Sequence, residues 1–210
     1  MAAPVGQKNM DFQASTVAIS APRGTLADRL PGERVRDIAL VAGFAIFVGI
    51  CAQITIPLWF TPVPITGQTF AVLLGAEVLG WRRGVAGTVL YAAAGLVGLP
   101  WFAGHAGGAS MLASPLLGYI LAFIPASAVG GWLAARGMDR TFLRSALVMA
   151  ASNLVIYAGG MAWLAASLGT GVERTLALGM LPFIPGDTIK LLAAAALVPS
   201  AWHLVGKDRS

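Results

Sequence analysis

Asp187 and Lys190 stand three residues apart in Pro185-Gly186-Asp187-Thr188-Ile189-Lys190, within an otherwise apolar run over 183–205. Positions three apart are neighbours on one helix face, so both side chains leave a helix in the same direction. A helix opening near Pro185 places proline where its missing N–H does no harm. Asp187 then falls in the first turn, where free amides and the helix dipole favour an anion. At 1.5 Å rise per residue, Lys190 lies roughly 8 Å below the helix start. The pair offers one carboxylate acceptor and one ammonium donor, which suits a ligand carrying N–H groups and an acid. An ionisable group inside a membrane span costs about 2.5–3.5 kcal/mol even on the mildest scale, so it is a functional candidate. The competing reading is that the two charges neutralise each other at the interface while Lys190 reaches outward.

Gln53, Gln68, Tyr91, Tyr119 and Asn153 are uncharged polar residues within or at the ends of other apolar runs. Each can bond a neighbouring helix for less than about 2 kcal/mol. Depth singles out Gln53, Gln68, Tyr119 and Asn153, which fall in the outer halves or near the middle of their runs. Glu77 lies close to Arg82 and Arg83 and reads as half of an interfacial ion pair.

Enzymatic chemistry finds no support. His105 and His203 fall on opposite sides of a membrane and cannot share a metal or a catalytic pair. There is no Gly-x-Ser-x-Gly elbow and no phosphate-binding loop. The single cysteine, Cys51, excludes an intrachain disulfide and a multi-cysteine metal site; a small buried hydrophobe is its simplest role. No catalytic residue, metal or cofactor is expected.

The elements that must position these groups follow from composition. Of 210 residues, 57% are hydrophobic and only 11% charged, against about 25% charged in soluble domains. Mean hydropathy is +0.77. Lipid as solvent accommodates such a chain, since a bundle in a bilayer is apolar outside as well as inside. A hydrocarbon core about 30 Å thick needs about 20 helical residues, and six runs qualify: 38–60, 65–80, 84–102, 116–135, 146–168 and 183–205. The fold class is therefore an all-α membrane protein, a bundle of six transmembrane helices. Its parts are a polar N-terminal segment 1–36, a transmembrane domain 37–206 and a tail 207–210. The head has no apolar core of the signal-peptide kind.

The formal charge of +5 comes without a basic face or interleaved aromatics, so nucleic acid is not expected as a partner. The basic residues sort by side instead. Lys8, Arg23, Arg29, Arg34 and Arg36 precede the first run; Arg82 and Arg83 separate the second and third; Arg136, Arg140 and Arg144 lie around the fourth-to-fifth turn; Lys207 and Arg209 follow the sixth. Only Arg174 and Lys190 remain for the other side. The positive-inside rule places both termini in the cytoplasm of a plasma (inner) membrane protein.

The outer loops are neutral and aromatic. One is Trp59-Phe60-Thr61-Pro62-Val63-Pro64, and the other, about 100–115, holds Trp101, Phe102 and a glycine-rich stretch around His105. They fold into the bundle mouth as a lid, or form an interfacial aromatic belt. Ala39 and Gly43, then Ala45 and Gly49, are spaced four apart on the first span, as in helix pairs that pack closely in lipid, within the chain or against another subunit.

With these residues in place, the chain resembles the BioY family, the biotin-specific substrate-binding (S) components of energy-coupling factor (ECF) transporters. The resemblance rests on Pro62-Val63-Pro64-Ile65-Thr66-Gly67-Gln68-Thr69-Phe70, on Tyr91 to Gly95, on Gly98-Leu99-Pro100-Trp101-Phe102-Ala103-Gly104, on Pro115 with Gly118-Tyr119, and on Pro182-Phe183-Ile184-Pro185-Gly186-Asp187 with Lys190. It implies a six-helix bundle with an outward-facing pocket roofed by the loops after the first and third spans, and biotin as the transported substrate. Asp187 would accept a ureido N–H, while Lys190 would serve the carboxylate or hold Asp187 ionised. Gln68, Tyr91, Tyr119 and Asn153 would add polar contacts, and Phe102 would cover the apolar ring. It also implies a transmembrane coupling protein and two ATP-hydrolysing subunits as partners, met through Ala39, Gly43, Ala45, Gly49 and Arg82 or Arg83. Alternatives are a stand-alone oligomeric biotin transporter, a related pocket for riboflavin or thiamin, and a structural membrane subunit without ligand.

Overall fold

The structure, a computed structural model, describes residues 24–30 and 34–207. Most of the head, 1–23 and 31–33, and the tail residues 208–210 lie outside the described residues. Seven helices follow in order: α1 Arg34–Gln53, α2 Gln68–Leu79, α3 Trp81–Val97, α4 Leu117–Leu133, α5 Phe142–Leu168, α6 Val172–Gly179 and α7 Ile184–Lys207. Six of them form the bundle, and α6 is a short addition to it. Their up-and-down order brings the α2–α3 and α4–α5 turns to one end, here the arginine end, and the remaining connections to the opposite, loop end.

The helix ends depart from the expected runs for local reasons. The first run extends not to residue 60 but only to Gln53. Thr55–Ile56 (β1) then pairs antiparallel with Ile65–Thr66 (β2), with Thr55 opposite Thr66 and Ile56 opposite Ile65. Pro57, Pro62 and Pro64 cannot continue a helix, while the β-branched Thr55, Ile56, Ile65 and Thr66 suit the ribbon. Gly80, at φ +79°, ends α2 after 12 residues. That is about 18 Å of helix, short of the bilayer core. Gly98, at φ +128°, stops α3 at Val97 rather than at residue 102. Helix α6, between the fifth and sixth runs, has no counterpart among those expected.

Among the described residues, three helical stretches are long and apolar enough to cross a membrane alone: Arg34–Gln53, Leu117–Met138 and Phe142–Leu168. Val172–Gly179 and Ile184–Leu204 qualify together as a pair bent by 53°. The shortness of α2 is tolerable because it runs through the centre, packed by α1, α3, α4, α5 and α7. Protein rather than lipid then shields its ends. The surface carries large apolar side chains such as Ile38, Ile46, Ile50, Leu147 and Leu154, as lipid permits.

Small residues decide how closely the helices approach. A Cβ at Gly75 or Gly87 would collide with the Phe44 ring, and one at Gly131 with the Gly80–Trp81 backbone. The spaced small residues of α1 divide. Ala45 is fully buried and Gly49 lies under the Trp101 ring, both serving internal packing, whereas Ala39 and Gly43 remain on the surface.

The expected Glu77 ion pair is not formed. Glu77 is 0% exposed; its Oε2 accepts a hydrogen bond from Ser145 Oγ at 2.6 Å, and its Oε1 is unpartnered. The chain reverses at Gly80, so Glu77 faces α5 while Arg82 and Arg83 lie beyond the turn on α3. Arg83 instead holds Asp28 at 2.7 Å and Asp37 at 3.0 Å, and Arg82 lies over the Trp81 ring.

Candidate ligand-binding site

At the loop end a cavity is enclosed by α2, α4, α5, α7 and the two outer loops. Its empty volume, mouth included, is about 630 Å³.

Its polar wall is built on the first turn of α7. Lys190 Nζ meets Asp187 Oδ1 at 2.8 Å, one helical turn apart. Thr69 Oγ1, from α2, donates to the same oxygen at 3.3 Å and accepts from Lys190 Nζ at 3.4 Å. Tyr157 OH, from α5, donates to Asp187 Oδ2 at 2.7 Å. Asp187 is only 6% exposed, so these bonds replace the water it has lost, and bonds to a charged acceptor are the strong kind. A carboxylate has about four lone-pair sites and an ammonium three donors. Three acceptances leave Asp187 one site, and two donations leave Lys190 one N–H. The wall can thus engage one further donor and one further acceptor side by side.

The other walls are mainly apolar. Val63 and Pro64 come from the hairpin, Phe102 and Met111 from the α3–α4 loop, Phe123 from α4, and Ile156 from α5. Gln68 lines the cavity and donates from Nε2 to Tyr91 OH at 2.7 Å. Tyr91 itself is fully buried behind this lining, with its ring edge-on to Phe102 at 5.3 Å. Tyr119 lines the cavity, and its OH donates to Gly179 O at 2.7 Å, tying α4 to the end of α6.

The structure thus brings Asp187, Lys190, Gln68, Tyr119 and Phe102 to one cavity, with Tyr91 one layer behind. Asn153 is outside the lining; it is buried one turn before Tyr157, and its Oδ1 has no hydrogen-bond partner. Sequence reasoning missed Thr69 and Tyr157. A signal existed for both. Thr69 lies inside the Pro62 to Phe70 segment, and Tyr157 is four residues after Asn153, hence on its face. The chain has three tyrosines, and all stand in or just behind this wall.

The two outer loops divide between the cavity and the surface. Val63, Pro64, Phe102 and Ala103 form cavity wall. Trp59, at 96% exposed, and Phe60 stack edge to face at 5.4 Å and point away. Thr61 Oγ1 donates to Leu178 O at 2.7 Å, pinning the hairpin tip to α6.

Comparisons with known proteins agree with this architecture. The profile of the BioY family matches residues 19–207. The chain is 36% identical over 170 residues to "Biotin transporter BioY" of Rhizobium etli, covering 77% of this chain and 90% of that protein. It is 37% identical over 165 residues to "Probable biotin transporter BioY" of Pyrococcus horikoshii, covering 79% and 94%. Its fold is similar to that in a crystal structure at 2.1 Å of the S-component for biotin from an ECF-type ABC transporter. The TM-score is 0.73 at 25% identity, over 79% of this chain and 90% of that one. With a profile spanning most of its length and a bundle of the same shape, this chain belongs to the BioY family.

Proposed function

We propose that this chain captures biotin from the outer side of the membrane as the substrate-specific subunit of an ECF-type uptake transporter. The observation that carries this reading is the Asp187–Lys190 pair set in the wall of a mainly apolar cavity. Biotin presents ureido N–H groups, an apolar thioether ring and a valerate carboxylate. Asp187 has an acceptor site for a ureido N–H, and Lys190 has an N–H for an acid. Phe102 and the aliphatic lining suit the ring between them. Ligand-free, the pair is bonded within itself and to Thr69 and Tyr157; with ligand, each charge gains one further partner.

Coupling to an ECF module is supported by the absence of any phosphate-binding loop, which leaves ATP hydrolysis to other subunits. Exposed Ala39 and Gly43 on α1, together with Arg82, suit contact with a transmembrane coupling protein. Arg83 is committed to Asp28 and Asp37. The arginine end would face the cytoplasm by the positive-inside rule.

The test is biotin binding by purified protein. Wild type should retain biotin, and Asp187→Asn or Lys190→Ala should lose it while remaining extractable and folded. Normal binding by both variants would remove the proposed site. Uptake in cells lacking the ATPase genes separates a coupled subunit, which should fail, from a stand-alone transporter.

A further inference from the structure

Gln53 is the last residue of α1, and the site just described does not use it. Its Nε2 donates to Gly49 O at 3.0 Å within α1 and to Trp101 O at 3.0 Å across the bundle. Phe102 O stands next to these at 3.4 Å. Only the nitrogen side of the amide satisfies these carbonyls, so its orientation is set. The consequence is visible in Oε1, which is buried without a hydrogen-bond partner. An unpaired buried acceptor is unfavourable, and the amide tolerates it to set its two N–H donors among three carbonyls.

Everything around this bond fixes the same two residues. Gly49 brings α1 under the Trp101 ring, where a Cβ would stand 3.0 Å from the ring. Trp101 Nε1 donates to Tyr91 O at 3.0 Å. Gly108 N donates to Gly95 O at 2.7 Å, and Gly95 leaves room for the Phe102 ring, which any Cβ there would strike. Trp101-Phe102 is thus clamped between α1 and α3, and the clamp presents Phe102 to the cavity.

We propose that Gln53 is a positioning residue, a latch that ties the α3–α4 loop (98–116) to the end of α1 and so sets how long Phe102 stays closed over a bound ligand. This rests on the reading of the cavity as a biotin site. Phe102 has no polar side-chain atom with which to hold itself in place; the backbone around it must be held, and Gln53 does so from α1 through the Trp101 and Phe102 carbonyls, beside Tyr91 OH, which donates to Trp101 O from α3 at 3.4 Å. The end of a helix is rich in carbonyls, so a donor is what the position demands.

The test compares Gln53→Leu, which keeps shape and removes the donor, with Gln53→Lys, which restores one. Biotin association and dissociation rates are measured beside hydrogen exchange of the ligand-free protein. Gln53→Leu should speed dissociation about tenfold, the factor for roughly one net hydrogen bond, with association little changed. Exchange should rise within 98–108 and not in the rest of α1 to α3, and Gln53→Lys should recover most of both effects. Unchanged dissociation and loop exchange in Gln53→Leu would overturn the latch, as would faster exchange throughout α1–α3, the mark of a merely structural residue. If wild type does not bind biotin, the biotin reading fails, while the exchange comparison still decides whether Gln53 holds the loop.

Discussion

The two ends of the bundle use the same charged side chains for different purposes. At the arginine end, charges pair between helix ends and between sequence neighbours, with partners that range from half-exposed Asp28 and Asp37 to fully buried Asp139. Arg83 bridges Asp28 and Asp37, Arg36 pairs with Asp37 at 2.9 Å, and Arg140 pairs with Asp139 at 3.1 Å. Trp202 Nε1 reaches Asp139 at 2.6 Å, and the Arg140 guanidinium lies 3.3 Å from the Trp202 ring centre. At the loop end one ion pair, Asp187–Lys190, stands in a wall that is otherwise apolar and hydroxylic. Pairs with a half-exposed partner contribute little individually; the buried Asp139 is held within the fold by Arg140 and Trp202. A buried pair is expensive to desolvate and costly to leave half-made, so its retention calls for a use beyond holding the fold. On the proposed reading, the comparison separates a stabilising end from a ligand-binding one.

The largest expected effect breaks the buried pair on one side only. Lys190→Met leaves Asp187 uncompensated and should abolish biotin binding while destabilising the protein by about 3–5 kcal/mol. The double variant Asp187→Asn, Lys190→Met should recover most of that stability without recovering binding. Thermal unfolding in detergent and calorimetric titration with biotin read the two effects. Recovery of binding by the double variant would show that the charges themselves are dispensable.

Next in size is Tyr157→Phe, which removes one hydrogen bond to the carboxylate and leaves the ring. Such bonds contribute about 1.5–3 kcal/mol, so biotin affinity should fall by about 10- to 100-fold with little change in melting temperature. This variant sharpens the comparison, because Tyr157 is a residue that polarity and depth alone did not select. What was legible in the sequence was whatever one helix decides by itself: the shared face of Asp187 and Lys190, and the gathering of Arg29, Arg34, Arg36, Arg82, Arg83, Arg136, Arg140 and Arg144 at turns that share one end. What was not legible depends on partners distant in the chain. Two-residue strands at Thr55–Ile56 and Ile65–Thr66 are too short to show a period. Nothing local says that Glu77 turns from nearby Arg82 and Arg83 toward Ser145, or that Asn153 stops one turn short of the cavity where Tyr157 reaches it. The shortness of α2 follows from its central place, which no hydropathy window registers.

At the arginine end the expected effects are smaller and of the other kind. Arg83→Ala removes two pairs to half-exposed carboxylates. It should lower the melting temperature by no more than about 4 °C and leave the biotin dissociation constant unchanged. A large loss of affinity would mean that the ends are coupled through α2 and α3.

The smallest effect is a pH dependence confined to the 3-10 turn Leu26–Arg29, which lies outside the spans. Partial burial raises the pKa of Asp28, but the Thr25 backbone N–H, the Arg83 guanidinium and the Thr25 hydroxyl outweigh it, and the carboxyl is held below its ordinary 3.8. For an acid whose folded value is the lower one, the stabilisation is present above the unfolded value and disappears as pH falls through the folded value. Hydrogen exchange over 24–30, corrected for its intrinsic pH dependence, should therefore show steady protection above pH 3.8 and a loss below it. Asp28→Asn should show the weaker protection at every pH. The loop segment 98–108 contains no carboxylate, so across the same range its exchange should stay flat. Parallel changes in both segments would mean that acid loosens the bundle as a whole, and the division between a charge-stitched end and a neutral, ligand-facing end would fail.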